Sequence, residues 1–215
     1  MKAPSGKPLG MNFGYRIGAG ILIPILNLVT KRKWLNTEKI PKSGPVVFYS
    51  NHVSYMDALV LAHYLFKNGR ALSEAIAAVK MGHAIAIYPE GTLTRDENLW
   101  PMTGKTGAVR LAIAAGAPLI PIAQWGDQKI WPPYSKMLKL FPPKEVTLIC
   151  GDPIDLSKWS GKEDDPFAME EATNFAMHTL AKMVGELRNE QPPSQLFDIR
   201  KSDLPRTGNF RKNQK

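Results

Sequence analysis

His52 and Asp57 are the pair in this chain best suited by type and spacing to do chemistry. An imidazole can take a proton from an attacking group, and a carboxylate beside it fixes the tautomer and stabilises the cation that forms. The pair sits in Asn51-His52-Val53-Ser54-Tyr55-Met56-Asp57, between the apolar run Pro45–Ser50 and the segment Ala58–Leu65. The first reads as a buried strand and the second as a helix, so both residues fall where a strand turns into a helix. In α/β folds ligands bind beyond the carboxyl ends of strands. A plainer reading is open for the same residues. Ser54 and Asp57 fit a capping box, with Ser54 as N-cap and Asp57 as the acid three positions on. His-x4-Asp alone does not choose between helix capping and catalysis.

Two further stretches carry polar groups at element ends. Glu90-Gly91-Thr92 follows an apolar run ending at Tyr88, and Arg95 lies in the same loop. Gly91 permits close backbone approach or positive φ, although Pro-Glu-Gly is also ordinary turn chemistry. Gly104-Lys105-Thr106 opens a helix and suits an anion, or Lys105 is simply solvated. It is not a Walker A loop, because Leu99 stands where that motif needs glycine. His63, His83 and His178 show no paired-ligand spacing, so no metal site is expected. No Gly-x-Ser-x-Gly elbow is present, which argues against a serine hydrolase.

The elements that must hold these residues alternate. Strands are expected at Val46–Ser50, Ala84–Tyr88, Pro118–Ala123 and Val146–Cys150. Helices are expected at Asp57–Lys67, Leu72–Lys80, Ala108–Ala115 and Pro166–Arg188. The alternation predicts an α/β fold with a mostly parallel central sheet flanked by helices. At 215 residues and 44% hydrophobic composition the chain suits one domain, assigned to 41–190. The single cysteine, Cys150, excludes an internal disulfide framework and a cysteine-rich metal site. It ends an apolar run and reads as a buried thiol, which suits a reducing compartment.

The net charge of +9 is concentrated at the ends. Residues 1–45 hold eight Lys/Arg against one acid, and the stretch from Pro192 holds six against two. Such ends suit an anionic membrane surface or a nucleic acid, and no nucleic-acid-binding module is recognisable. The apolar stretch Ile17–Val29 contains Pro24 and Asn27 and falls short of a span of about 20 apolar residues. Followed by Lys31-Arg32-Lys33-Trp34, it reads as a helix lying in the membrane interface, with packing on the domain as the other possibility. Residues 1–40 are therefore expected to form a basic, amphipathic membrane-associating segment, and 191–215 a basic tail with little order.

The blocks together are more specific than any one of them. Asn51-His52-x4-Asp57 at one strand end and Tyr88-Pro-Glu-Gly-Thr92 at another resemble the glycerophospholipid acyltransferase family, in particular bacterial 1-acylglycerol-3-phosphate acyltransferases. The runs Tyr88–Arg95 and Trp100–Ala112 look like its actinobacterial branch, and Pro118–Trp125 looks like the family's last block, centred on Pro121. The resemblance covers roughly residues 12–190. It implies acyl transfer from acyl-CoA or acyl carrier protein to the free hydroxyl of a lysophospholipid, in phospholipid biosynthesis. His52 would be the general base, Asp57 its partner, Asn51 a substrate-site residue that orients the turn, Glu90 and Gly91 the acceptor-binding positions, and Thr92 part of a Gly-Thr backbone that helps place the substrate. Arg95 and Lys105 are chosen from charge and place as cations near the acceptor phosphate. The thioester carries the activation, so no cofactor or metal is implied. The expected partner is a membrane lipid surface, at the cytoplasmic face of the cell membrane.

One departure stands out. Asp57 and Glu90 are 33 positions apart, where the family's pattern has about twice that span. The family places there a further strand and a Gly-x4-Arg type block whose Arg binds the acceptor phosphate. Here Arg70 follows Gly69 directly and nothing around it matches, as if a segment were cut out between Arg70 and Ala71. An exposed sheet edge is then expected. A homologue that binds lipid without turnover is the competing expectation.

Overall fold

The computed structural model describes residues 13–68, 77–205 and 208–209. Five strands form one sheet: β1 (Thr30–Leu35), β2 (Val46–Ser50), β3 (Ala84–Ile87), β4 (Leu119–Trp125) and β5 (Lys144–Cys150). Their order is β1-β5-β4-β2-β3. β2 pairs in parallel with β3 and β4, and β1 with β5, while β4 and β5 are antiparallel. The helices are α1 (Phe13–Val29), α2 (Asp57–Lys67), α3 (Ala77–Lys80), α4 (Gly107–Ala115) and α5 (Pro166–Arg188). The mostly parallel α/β domain expected from the alternation is what forms.

The period of two along β2 explains the layers. Val47 and Tyr49 join a core with α4 and α5, whereas Val46 and Phe48 join a second core with α1 and α2. Every residue of β2 is buried, as a central strand covered on both faces must be. Each such apolar side chain contributes roughly 1.5–3 kcal/mol. α5 is bounded by its own chemistry. Asp165 caps it through the Phe167 and Ala168 N–H groups, Pro166 opens it, and Asn189 closes it in the left-handed region. Cys150 is free and buried, and burial pushes its thiol up to about 12.

Three features differ from the sequence reading. The basic collar Lys31-Arg32-Lys33 belongs to a strand, β1, at one edge of the sheet. Its cations point to solvent as lysines on edge strands do, and their run hides the alternation. Trp34 packs on the domain: its ring meets His63 and Tyr64 edge-on, at 5.0 and 5.5 Å. Described residues after Glu190 pack on the domain instead of trailing away. Leu196 is buried, the Phe197 carbonyl accepts from the Thr103 N–H, and Arg200 pairs with Glu170. Apolar Leu196, within a polar run, joins the core beside α5 and supplies that packing.

The helix expected over 72–80 is described only as α3, and the junction of Arg70 with Ala71 lies outside the described residues. β3 is the outermost strand on its side among the described residues. No described helix is long and apolar enough to cross a membrane.

Candidate active site

The carboxyl ends of β2, β3 and β4 converge on one polar cluster. His52 lies just past β2, and its Nδ1 is 3.0 Å from Asp57 Oδ2. The same oxygen accepts the N–H groups of Val53, at 2.6 Å, and Ser54, at 2.8 Å. Ser54 Oγ accepts the Met56 N–H while Asp57 Oδ2 accepts the Ser54 N–H, so the two side chains also cap the helix start. Capping and orienting the histidine are one arrangement: the helix start fixes the carboxylate that fixes the ring. An oxygen already receiving two N–H donors is an acceptor. Nδ1 therefore carries the hydrogen, and Nε2 is left as the proton acceptor.

The surroundings set the ring's basicity. Tyr88 stacks on His52 with centroids 4.4 Å apart. Burial lowers the His52 pKa to about 4, yet 21% of its side chain stays exposed, so a hydroxyl can reach it. At neutral pH the imidazole is uncharged and able to accept a proton.

Glu90 comes from the β3 end and is buried. Its Oε1 accepts the His52 N–H at 2.9 Å and its Oε2 accepts the Met102 N–H at 3.1 Å. Burial raises its pKa to about 8 against those two bonds. Glu90 thus ties the catalytic turn to the loop before α4, where a direct acceptor contact was expected. Gly91 beside it is exposed at φ +69°. A Cβ there would lie 2.7 Å from Lys105 Nζ, which places that ammonium over the glycine. Lys105 is held there because its N–H donates to the Pro89 carbonyl, 2.8 Å away. Gly104 lets the two loops meet, since a Cβ would come within 2.9 Å of Pro89 Cβ. Thr92 is half-buried beside the Tyr134 phenol.

Two of the residues chosen from the sequence do not face the site. Asn51 is fully buried and clamps β2 to β4: its Nδ2 donates to the Gln124 carbonyl, and its Oδ1 accepts the Gln124 N–H. It orients the turn and cannot contact substrate. Arg95 is also buried. Its guanidinium lies 4.7 Å over the Tyr134 ring and donates to the Gly208 carbonyl. That cation holds the C-terminal segment and the Tyr134 loop, not a phosphate. Charge and proximity in sequence cannot tell an inward arginine from an outward one.

Sequence reasoning missed Gln124 and Asp127, just beyond Pro121 at the β4 end. Asp127 is fully buried, and its carboxyl has no partner in another described residue. Burial and the charge of Asp57 both raise its pKa, while burial likewise raises that of Asp57. Two buried acids that repel each other do not both ionise. Asp57 has three donors and Asp127 has none outside its own residue, so the charge settles on Asp57 and Asp127 is neutral. No cluster of three or more metal-ligating side chains occurs among the described residues.

Comparisons with known proteins match the same stretches of the chain. The family model "Acyltransferase" matches residues 31–81 and 67–125, spanning the His52, Glu90 and Lys105 blocks. The chain is similar to several 1-acyl-sn-glycerol-3-phosphate acyltransferases. That of Salmonella typhimurium is 40% identical over 62 residues, covering 26% of this chain and 24% of that protein. The family match and these relatives support a glycerophospholipid acyltransferase family for this chain. The chloroplastic 1-acyl-sn-glycerol-3-phosphate acyltransferase BAT2 of Brassica napus is 28% identical over 130 residues, 44% of this chain and 37% of that one. The chain thus spans 24% to 37% of the length of these two relatives. The crystal structure of the 1-acyl-sn-glycerophosphate (LPA) acyltransferase PlsC from Thermotoga maritima shares its fold. The TM-score is 0.56 at 21% identity, covering 85% of this chain and 86% of that one.

These matches are longer than the stretch of this chain that they cover. The two pieces of the family model overlap across residues 67–81. The Brassica alignment runs over 130 residues, whereas 44% of 215 is only about 95. Within the aligned stretch the relative carries residues that this chain lacks.

Proposed function

We propose that this chain transfers a fatty acyl group from a thioester, acyl-CoA or acyl carrier protein, to the free hydroxyl of 1-acylglycerol-3-phosphate, giving phosphatidic acid. The observation that carries it is the 3.0 Å contact between His52 Nδ1 and Asp57 Oδ2, with Nε2 left to accept a proton. The hydroxyl proton passes to Nε2 as the alcohol oxygen attacks the thioester carbonyl. The tetrahedral intermediate collapses with loss of the thiolate, which takes the proton from His52. Asp57 stabilises the transient imidazolium. The thioester supplies the driving force, so neither ATP nor a metal enters the balance. The relatives' names support the acceptor.

Lys105 is the cation for the acceptor phosphate, because it is exposed and lies over Gly91. It acts as a point charge in place of the bidentate grip an arginine gives. The exposed apolar face of α1, described below, supports a peripheral position on the cytoplasmic face of the cell membrane. The shortened span after Asp57 favours a second reading, lipid binding without turnover. A thiol-release assay with acyl-CoA and 1-acylglycerol-3-phosphate separates the two. Acceptor-dependent release of free CoA supports the enzyme, and none above the no-protein rate supports the inactive homologue.

A further inference from the structure

An apolar, basic loop at the catalytic end of the sheet has no role in the chemistry above. In Ser135–Pro143, Met137 is 67% exposed, Leu138 47% and Phe141 62%. Lys136 and Lys139 are exposed among them. Residues 128–144 contain four lysines and no acid. A monomer does not expose such side chains together without a use for them.

The topology places this loop. β2 ends at Ser50, opposite Ile122 of β4, and β4 continues to Trp125. Trp125 is opposite Thr147 in the antiparallel pair, so β5 begins at the end where His52 lies. Lys144, at the start of β5, is in register with Thr30, where α1 passes into β1. The loop, the last turn of α1 and the catalytic turn therefore share one end of the sheet. They share a layer too: Leu22 and Leu26 of α1 and Leu140 of the loop pack on the same core. Outside that layer α1 exposes Ile21 (63%), Ile25 (49%) and Leu28 (60%), and Lys31 follows, exposed. The loop is also tied to the site. Ser54 Oγ donates to the Trp131 carbonyl, and Trp131 Nε1 donates to the Ser135 carbonyl.

We propose that the Lys136–Phe141 loop is a second membrane contact, which together with α1 seats the catalytic end of the sheet on an anionic lipid bilayer. Its apolar side chains enter the interface while Lys136 and Lys139 meet the headgroups. One contact would let the domain swivel, whereas two at the same end hold His52 toward the surface where a lysophospholipid resides. This inference rests on the reading of the chain as a membrane-surface acyltransferase.

The test uses the full chain and co-sedimentation with vesicles of phosphatidylcholine, with and without phosphatidylglycerol. The loop variant M137D/L138D/F141D should reduce binding to the phosphatidylglycerol vesicles by roughly tenfold or more. K136E/K139E should weaken binding to those vesicles while sparing binding to phosphatidylcholine alone. Turnover on a monomeric short-chain acceptor should be unchanged in both, which shows that the fold is intact. The loop contact is overturned if these variants bind as wild type while I21D/I25D in α1 does not, and the membrane reading then stands. Wild-type protein that sediments with neither vesicle overturns both. Loop variants that dissociate a dimer in sedimentation velocity, with vesicle binding unchanged, make the surface a contact between copies and overturn the proposal.

Discussion

His52 and Asp57 have separable costs. Asp57 Oδ2 satisfies two buried N–H groups and the ring, so Asp57→Ala leaves orphan donors worth about 1–3 kcal/mol each. It should lower the denaturation midpoint as well as activity. Asp57→Asn should cut turnover by on the order of 10⁴ through loss of the tautomer and of imidazolium stabilisation. Asp127→Asn should leave turnover roughly unchanged, because that acid is already neutral; parallel steady-state assays of the two variants check both. The pH profile follows from the buried ring. With the His52 pKa lowered to about 4, kcat/KM should fall only as pH drops toward 4, not near the ordinary histidine value of about 6.5. Lys105→Ala should raise KM for the phosphate acceptor by roughly tenfold or more, the worth of a charged hydrogen bond, with kcat little changed. The dyad was legible because spacing on a helix start is local. The inward turn of Arg95 was not, because it depends on Tyr134 and Gly208, far away in sequence.

Among the elements, three strand ends make the site, and side chains that cross between them hold it. Asn51 and Gln124 bind each other's backbone across β2 and β4, and Glu90 binds the turn after β2 and the loop before α4. Glu90 gives a stability test with a definite sign. Its folded pKa, about 8, lies above the unfolded value, so its contribution is fully present below about 4.5 and is lost as pH rises through 8. Glu90→Gln should flatten this decline in thermal scans between pH 5 and 9, at the cost of the bond from the Met102 N–H. β2, β4, α2 and α5 could be read from period and caps, since their burial follows their own pattern. β1 could not. Its charges mask the alternation, and only pairing with β5, more than a hundred residues on, makes it a strand.

At the scale of the molecule, the sheet brings the His52–Asp57 pair and the exposed apolar, basic loop to one end. The carboxyl ends of β2, β3 and β4 supply His52, Glu90 and the Asn51–Gln124 clamp, and the antiparallel β5 returns the basic loop to the same place. The dyad's hydrogen bonds are all made despite the short span between Asp57 and Glu90. In the proposed reaction Lys105 is the cation given to the acceptor phosphate. The most direct measurement is acceptor-dependent release of free CoA by the wild-type chain and by His52→Ala, with circular dichroism to confirm that both fold. The expected result is turnover by the wild type and none above background for His52→Ala, with unchanged spectra. Equal release by a folded His52→Ala protein would contradict the role given to this histidine.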